Sequence, residues 1–147
     1  MMRRKDLGLR VWNALHRALY AVTGGKRGGV FLGQPVVELT TVGARTGKRR
    51  TVLLTSPAYF GGDPVVVASY AGDDRHPGWY HNVLANPEVE IKRLDSGRRQ
   101  RCRARVLSAA ERAQLWPQVK RDVRQYQEYE LRTTREIPIV VLEPISR

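Results

Sequence analysis

The sequence predicts a single α+β domain built on an antiparallel barrel or half-barrel. Segments rich in β-branched and aromatic residues are separated by short glycine-containing turns, which are the connections typical of antiparallel pairing. The helical patterns do not alternate with strands, as they would in strand-helix-strand crossovers. At 147 residues with 41% apolar side chains, the chain is long enough for one core and too short for two comfortable ones.

The first predicted element is an amphipathic helix over residues 7–22. Apolar residues recur there at three- and four-residue steps, while Arg10 and Arg17 fall between them. The helix ends at Gly24, and the following GGKRGG stretch is predicted to be a flexible loop because it is glycine-rich and polar. The chain is therefore expected to divide into a helix with its loop, residues 1–30, and one barrel domain, residues 31–147.

Strands account for most of the barrel domain. The predicted strands are residues 36–42, 50–59, 64–70, 89–94, 99–107 and 138–142. Gly61, Gly62 and Asp63 form the clearest hairpin turn. The fifth strand alternates arginine with apolar residues, so one of its faces is predicted to be solvated and the other buried.

Two helical regions interrupt the strands. Residues 79–85 are predicted to form a short helix that stops before Asn86, because a residue that precedes proline is displaced from the helical conformation. Ser108 and Glu111 make the capping-box pattern of a second helical region. This region is predicted to break near Pro117 and to run on to about residue 133.

Charge and cysteine content restrict the classes of function. A formal charge of +12 favours nucleic acid, anionic lipid or a phosphorylated coenzyme as partner, without choosing among them. Cys102 is the single cysteine and the three histidines stand at unrelated spacings, so neither a disulfide framework nor a metal site is expected. No apolar run approaches the length of a membrane span, and a cytoplasmic protein fits best.

A basic turn, residues 43–50 with the sequence GARTGKRR, joins the first two strands. It combines two glycines, a hydroxyl and four cations in one short loop. Glycine lets backbone N–H groups approach an oxyanion, and a guanidinium matches the paired oxygens of a phosphate or carboxylate. The basic turn is therefore a candidate anion site, although a solvated turn between strands has a similar composition.

A second cluster is a candidate site for a flat ring. Small residues near Ser69 end the third strand, and small side chains let a ring lie against the backbone. Trp79 and Tyr80 follow and are suited to stack on such a ring, while His81 and Asn82 carry polar groups for its edges. Core packing and helix capping are the alternative explanation of the same residues.

A third cluster is the tyrosine pair Tyr126 and Tyr129. Their spacing of three places both on one helical face. A phenol near a developing oxyanion donates a hydrogen bond or a proton, although its reference pKa of about 10 makes it a weak acid. Packing of an amphipathic helix explains the pair equally well.

Three blocks together resemble one family. The segments VVELTTVGARTGKRRTVLLT, VVVASYAGDDRHPGWYHNVLANPEVEI and YQEYELRTTREIPIVVLEP occur in the order found in deazaflavin (coenzyme F420)-dependent nitroreductases and quinone reductases. The resemblance covers roughly residues 36–144 and implies a split β-barrel with the C-terminal helix beside the cofactor. It also implies an oxidoreductase that transfers a hydride from the reduced deazaflavin to a quinone, nitro compound or similar electron-poor acceptor.

The resemblance further implies which residues form the site. The cofactor-binding residues would be Ala44, Arg45, Thr46, Arg50, Thr51, Val52, Leu53, Leu54, Val67, Ala68, Ser69, Tyr70, Gly78, Trp79, Tyr80, His81, Asn82 and Tyr126. The first four would hold the phosphate and the start of the acidic tail. Ser69, Tyr126 and Tyr129 are the candidate catalytic residues, with Tyr126 facing ring and acceptor and Tyr129 shaping the acceptor pocket. Tyr70 and Val123 depart from the residues usual in the family, and both border that pocket.

Other interpretations remain open at this stage. A split-barrel relative that binds flavin mononucleotide (FMN) or haem would share the fold, although the basic turn argues against it. A nucleic-acid-binding module would explain the pI near 10.7, but strand alternation accounts for the arginines of residues 99–105 as a solvated face. The predicted N-terminal helix, with Arg3, Arg4 and Lys5 near Trp12, suits either packing on the barrel or peripheral binding to an anionic membrane.

Overall fold

The computed structural model of the chain describes residues 30, 31 and 33–145. The predicted N-terminal helix, the glycine-rich loop after it and the boundary at residue 30 fall outside or at the edge of these residues, so they stay predictions. Within the described part, no helix has the length and apolar character needed to cross a membrane.

Strands and helices occur in an α+β order, as predicted. The strands are β1 (Val30–Phe31), β2 (Gln34–Val42), β3 (Arg49–Thr55), β4 (Tyr59–Phe60), β5 (Asp63–Val67), β6 (Glu88–Arg93), β7 (Arg99–Val106) and β8 (Ile139–Pro144). The helices are α1 (Gly78–Ala85), α2 (Ala109–Asp122) and α3 (Gln125–Leu131), and a 3-10 turn covers Tyr70–Gly72. Most strand and helix bounds agree with the sequence-based ones to within two residues.

The strands form one curled, antiparallel half-barrel. Their spatial order is β3-β2-β6-β7-β8-β5-β4, and the short β1 pairs with the start of β2. Every neighbouring pair is antiparallel. Among the described strands, β3 pairs only with β2, so it lies at one end of the curled sheet.

Apolar layers cover both faces of the β5–β8 part of the sheet. In β5, Val66 faces an inner layer that also contains Leu39 and the buried side of α1. Val65 and Val67 face the opposite way, into an outer layer under α2 and α3. Successive residues of a strand alternate between faces, so a strand that is buried on both sides has a continuous apolar sequence.

Two predicted strands end earlier than expected. β3 stops at Thr55, and a separate hairpin begins at Tyr59, because Pro57 lacks the N–H that would continue the ladder. β5 stops at Val67, and the chain then enters a left-handed turn that includes Tyr70. Both strand ends border the candidate site.

Pro117 lies inside α2, so the predicted break near it is wrong. The break comes instead at Val123, whose φ of −133° and ψ of 98° are extended. Proline inside a helix costs about 3 kcal/mol. Burial of Leu115, Trp116 and Val119 in the outer layer offsets that cost, because these side chains hold the turns on both sides of the proline.

The predicted start of α2 is confirmed. The Ser108 hydroxyl accepts from the Glu111 N–H at 3.2 Å, and the Glu111 carboxylate accepts from the Ser108 N–H at 2.8 Å. Arg105 donates to Glu111 at 2.9 Å and to Glu143 at 3.1 Å. The bond from Arg105 is the main reason that the pKa of Glu111 is lowered to about 2. The start of α2 is therefore tied to β7 and β8.

Candidate functional site

The basic turn is closed by its own backbone. The Gly43 N–H donates to the Lys48 carbonyl at 2.7 Å, and the Gly47 N–H donates to the Gly43 carbonyl at 3.0 Å. The Thr46 hydroxyl accepts from the Lys48 N–H at 3.2 Å. A Cβ on Gly43 would lie 2.8 Å from this hydroxyl and 3.2 Å from the Lys48 carbonyl, so a larger residue would open the turn.

Asn82 joins the basic turn to α1. Its side-chain oxygen accepts from the Ala44 N–H at 3.0 Å, and its side-chain nitrogen donates to the Thr41 hydroxyl at 3.0 Å. One helix turn later, Asn86 donates to the Val42 carbonyl at 3.3 Å. The bond between Asn82 and Ala44 spans 38 residues of sequence. It brings the basic turn and the start of α1 together.

Three cations of the basic turn are available to a ligand. Arg45, Lys48 and Arg50 are exposed. Within the described residues, none of the three forms an ion pair with a carboxylate, whereas Arg49 pairs with Glu90 at 2.7 Å. A phosphate or carboxylate that bound here would not have to displace an internal partner.

A row of side chains leads from the basic turn into the barrel. In the register of β3 with β2, Arg50 stands opposite Thr41, and Val52 stands opposite Leu39. Paired residues point to the same face, so Arg50, Val52 and Leu54 share the inner face. Val52 and Leu54 are partly buried against the inner layer. The row therefore changes from charged to apolar along β3.

The other predicted residues of β3 point to the opposite face. The Thr51 hydroxyl lies 3.0 Å from the Thr40 hydroxyl, and Leu53 is buried in a small cluster with Val36 and Leu94. The stretch that the sequence predicts to line the route to the ring is thus split by strand geometry. Side chains from Arg50, Val52 and Leu54 reach the inner face, while Thr51 and Leu53 contribute to it only through their backbone.

Helix α1 packs its aromatic residues into the core. Trp79 and Tyr80 are buried in the inner layer with Ala68, while His81 is exposed and Gly78 begins the helix. A Cβ on Gly78 would meet no atom within 4 Å. Core packing explains Trp79 and Tyr80 as well as ring binding does, so their role in the site stays a prediction.

The end of β5 passes into a strained turn beside α3. Tyr70, Ala71 and Gly72 have φ values of 47°, 54° and 78°, a conformation that costs roughly 1–2 kcal/mol for each residue with a Cβ. A Cβ on Gly72 would lie 2.9 Å from both the Tyr129 carbonyl and the Arg132 Cβ. Arg132 donates to the Ala71 carbonyl at 3.2 Å. The turn is therefore held against the C-terminal end of α3.

Arg135 is a site-bordering residue that the sequence analysis did not single out. Its guanidinium donates to the carbonyls of Ser69 at 3.0 Å, Asp73 at 2.9 Å and Ala68 at 3.2 Å. It also lies 3.2 Å from His76 Nδ1. The residue lies in the TTREIP block, but its contacts are with residues about 60 positions earlier, so no local pattern indicates them.

The tyrosine pair lies between α2 and this turn. Tyr126 is 7% exposed, and its ring centroid lies 6.1 Å from that of Trp116 and 6.0 Å from that of Tyr129. Burial raises the pKa of Tyr126 to about 12, and a hydrogen bond with the Thr55 side chain acts in the opposite direction. Burial also raises the pKa of the half-buried Tyr129. Both phenols are therefore neutral hydrogen-bond donors at physiological pH.

A separate concavity lies on the outer face of the sheet. Its volume is about 300 Å³, and it is lined by Glu38, Thr40, Glu90, Ile91, Lys92, Arg99, Gln100 and Arg101. None of these residues belongs to the predicted site, and strand alternation turns Thr40 and Glu90 away from the inner layer. The concavity and the predicted binding residues thus lie in different places. The concavity is on the outer face, whereas Arg50, Val52 and Leu54 are on the inner face. No group of metal-ligating side chains occurs in the described part of the chain.

The basic turn, the inner face of β3 and the tyrosine pair on α3 together offer groups that fit a ligand with an anionic end and a flat ring. Exposed cations stand at the basic turn, apolar side chains follow along the inner face of β3, and neutral phenols stand on α3, beside the outer layer. Such a donor set matches a deazaflavin coenzyme, which carries a phosphodiester and carboxylates at one end and an aromatic ring at the other. Fold and site together define a split-barrel protein that binds an anionic, ring-bearing cofactor.

Comparison with known families identifies the class more closely. The family model described as F420H(2)-dependent quinone reductase matches residues 12–144. The chain therefore belongs to the F420H2-dependent quinone reductase family. As a member, it is an oxidoreductase whose cofactor is coenzyme F420, which confirms the predicted family, enzyme class and cofactor.

Individual relatives agree with this assignment. An F420H(2)-dependent quinone reductase of Mycobacterium tuberculosis is 41% identical over 132 residues, which cover 87% of each chain. A putative F420H(2)-dependent quinone reductase of Mycobacterium bovis matches to the same extent. Among solved structures, an F420-H2 dependent reductase (FDR-A) superimposes with a TM-score of 0.64 at 38% identity, covering 74% of this chain and 94% of that one.

A more distant structure confirms the fold alone. A pyridoxamine 5'-phosphate oxidase-related, FMN-binding protein from Nostoc punctiforme superimposes with a TM-score of 0.51 at 12% identity, covering 88% of this chain and 79% of that one. The split-barrel architecture is therefore confirmed. At this identity the likeness does not extend to the ligand, so it gives no support to FMN as the cofactor.

Proposed function

We propose that the inner face of β3, the basic turn and the tyrosine pair on α3 bind reduced F420 and present it to a quinone. The observation that carries this proposal is the row formed by Arg50, Val52 and Leu54, which leads from the exposed cations of the basic turn to an apolar surface. When bound, the coenzyme supplies a hydride from its deazaflavin ring. The residues of the chain bind the coenzyme, orient it and exclude water from the site.

The basic turn holds the anionic end of the coenzyme. Arg45, Lys48 and Arg50 are exposed, so each contributes a screened, charge-assisted interaction of about 1 kcal/mol. The Ala44 N–H is already bonded to Asn82, which means that Ala44 contributes by shaping the turn. Thr46 has the same effect because its hydroxyl accepts from Lys48.

The apolar part of the row receives the ring. Val52 and Leu54 are partly exposed on the inner face and pack against the inner layer, which contains the buried Ala68 and the aromatic side chains of α1. A flat ring that covers these side chains removes their apolar surface from water, and this strengthens the polar interactions at its edges. Ser69 and Tyr70, half-buried at the strand end, border the same region.

Tyr126 and Tyr129 take different roles on the acceptor side. Tyr126 is nearly buried, and its hydroxyl forms a hydrogen bond with the Thr55 side chain. Its role is therefore to hold α3 in its orientation. Tyr129 is half-buried, and its neutral hydroxyl donates a hydrogen bond to the quinone oxygen on which charge develops. The proton that completes the hydroquinone comes from solvent.

Titration of the purified protein with oxidised F420, followed by fluorescence, tests the binding site. We expect binding at micromolar concentration, and we expect Arg50→Ala to weaken it about five- to tenfold, the equivalent of about 1 kcal/mol. Arg103→Ala is the matched control because Arg103 is also exposed but lies on β7. Equal effects of the two variants, or no binding by the parent protein, would refute the proposed site.

Steady-state reduction of a soluble quinone by F420H2 tests the acceptor. Tyr129→Phe should lower kcat about tenfold, because it removes a hydrogen bond that strengthens in the transition state. The affinity for oxidised F420 should change less than twofold. A nitroaromatic acceptor assayed in parallel shows whether the site accepts both classes, and an unchanged kcat for quinone would remove Tyr129 from the mechanism.

We also propose that the enzyme works in the cytoplasm, at the surface of the membrane that holds lipid quinones. This proposal rests on the sequence of the N-terminal segment, where Arg3, Arg4, Lys5, Arg10 and Arg17 accompany apolar residues. Co-sedimentation with anionic liposomes should be strong for the full chain and weak for a chain that begins at residue 23. Equal pelleting of the two would disprove it.

A further inference from the structure

One guanidinium organises the loop between β5 and α1. We define the Arg135 loop as residues 68–76. Arg135 donates to the carbonyls of Ala68, Ser69 and Asp73 and contacts the ring of His76. Both ends of the loop are therefore tied to one side chain, which reaches them from the segment that precedes β8.

Other contacts make the loop rigid. Asp73 is fully buried and accepts from the Arg75 backbone N–H at 2.9 Å and from its Nε at 3.0 Å. The middle of the loop has the left-handed turn described above, which is unfavourable for Tyr70 and Ala71. Such a conformation persists only where surrounding contacts over-determine it. The guanidinium of Arg135 provides several of those contacts.

The contact with His76 fixes the state of the imidazole. An arginine side chain donates hydrogen bonds and cannot accept them, so His76 Nδ1 must be the acceptor. The ring is then neutral and carries its proton on Nε2. Burial, and after it the positive charges of Arg135 and His81, lower the pKa of His76, which agrees with a neutral ring. Tyr80 packs against the same ring at a centroid distance of 4.6 Å.

We propose that Arg135 is a positioning residue that presets the Arg135 loop, and with it Ser69 and Tyr70, for binding of the coenzyme ring. This inference rests on the proposed function, because it takes the strand end at Ser69 as part of the ring site. In this role Arg135 acts through the carbonyls that it holds rather than by direct contact with the ring or the acceptor. The loop is thereby shaped before the coenzyme arrives, which lowers the entropic cost of binding.

Lysine cannot replace arginine in this role. The planar guanidinium reaches four acceptors that lie in different directions, and its Nη2 alone bonds to two carbonyls. An ammonium offers three donors from one point and cannot span these positions. Charge is kept in Arg135→Lys while the geometry is lost, so this variant separates positioning from simple electrostatics.

The test compares Arg135→Lys with Arg112→Lys. Arg112 is a matched control because, like Arg135, it is intermediate in burial and donates to a backbone carbonyl. Its bond to the Ile137 carbonyl is 2.9 Å long, and its contacts in the described part of the chain do not include the loop. We expect Arg135→Lys to speed amide hydrogen exchange in residues 69–76 and to weaken oxidised-F420 binding, each about tenfold. Arg112→Lys should change both less than twofold.

Two readouts separate positioning from general loss of structure. Nitrogen chemical shifts of His76 should show an unprotonated Nδ1 in the parent protein and a mixture of tautomers in Arg135→Lys. Millimolar guanidinium should restore F420 binding to Arg135→Ala, whereas methylammonium should not. Absence of either effect in a folded variant would overturn the inference.

The outcomes distinguish this inference from the proposed site. If Arg135→Lys loosens the loop but binds F420 like the parent, the inference fails while the Arg50→Ala result still supports the site. If the parent protein binds no F420, the proposed site fails and the inference with it. If Arg135→Lys does not fold, Arg132→Ala, which removes one exposed bond to the Ala71 carbonyl, should still weaken binding about two- to threefold. No change in that variant would overturn the inference.

Discussion

The two ends of the proposed site are built on opposite principles. The basic turn is exposed, is closed by short-range backbone bonds and carries three cations that have no carboxylate partner in the described part of the chain. The Arg135 loop instead contains the fully buried Asp73 and depends on a side chain about 60 residues away. One end offers three cations to solvent, and the other buries one carboxylate, that of Asp73.

This difference predicts how each end binds. Cations in water act nearly independently and are screened by salt, so the basic turn should lose affinity gradually as charges are removed. The Arg135 loop holds unfavourable backbone angles through several shared contacts, so removal of one contact should loosen the others. We therefore expect anchoring of the tail to tolerate substitution and placement of the ring to be sensitive to it.

The largest expected effect comes from alanine at Gly72, compared with alanine at Gly47. Both glycines have positive φ, 78° and 69°. A Cβ at Gly72 would clash with α3, whereas one at Gly47 would meet no atom within 4 Å. We expect Gly72→Ala to cost about 3–4 kcal/mol in urea unfolding and Gly47→Ala about 1 kcal/mol. Equal costs would show that the ring end is no more tightly built than the basic turn.

Alkaline stability tests the burial of Tyr126. Its folded pKa of about 12 lies above the ordinary value of 10.0, so the stability present below about pH 10 is lost as the pH rises toward 12. The loss should amount to about 3 kcal/mol in the parent protein and should be absent in Tyr126→Phe. Tyr59→Phe is the control because Tyr59 is 45% exposed. The measurement is the denaturant midpoint of unfolding from pH 9 to 12. Identical pH dependence of the midpoint in the parent protein and in Tyr126→Phe would mean that the Tyr126 phenol is solvated.

Salt dependence tests the independence of the cations. Arg45→Ala and Arg50→Ala should each weaken F420 binding about five- to tenfold at low ionic strength, and their free energies should add in the double variant. At about 0.5 M salt both effects should shrink to roughly twofold. Fluorescence titrations at several salt concentrations provide the measurement. A double variant far from additive would indicate that the basic turn acts as one unit.

The smallest expected effect is at Thr46. Its hydroxyl accepts one exposed backbone N–H, so Thr46→Ala should cost about 0.5 kcal/mol of stability and less than twofold in F420 affinity. Thr46→Ser keeps the hydroxyl and should behave like the parent. A loss of affinity as large as that of Arg50→Ala would mean that Thr46 itself contacts the ligand.

Local patterns predicted much of the fold. Richness in β-branched residues located β2, alternation of polar and apolar residues gave the two faces of β7, and the Ser108 and Glu111 pair located the start of α2. These signals depend on neighbours within a few residues. Pro117 misled because its local effect was overcome by side chains that pack against the sheet. The end of β5 misled because the angles of Tyr70 depend on Arg135, which is distant in sequence.

The candidate site was likewise predicted from the sequence only in part. Resemblance between whole blocks of sequence indicated the family, and comparison with relatives confirmed it. The resemblance implied that residues 51–54 all bind the cofactor. Strand register instead places the side chains of Val52 and Leu54 on the inner face and turns those of Thr51 and Leu53 away from it. The sequence left both core packing and ring binding open for Trp79 and Tyr80, and the packing of α1 against the sheet buries both side chains.

The basic turn illustrates what the sequence by itself determined. Two glycines, a threonine and four cations within eight residues specify a tight, positively charged turn through local bonds alone. Only the tertiary structure decided which parts of the chain surround this turn. Asn82 joins it to α1, and the register of β3 directs Arg50 toward the inner face. The Arg135 loop is the reverse case: its conformation is unfavourable locally and exists because long-range hydrogen bonds outweigh the local cost.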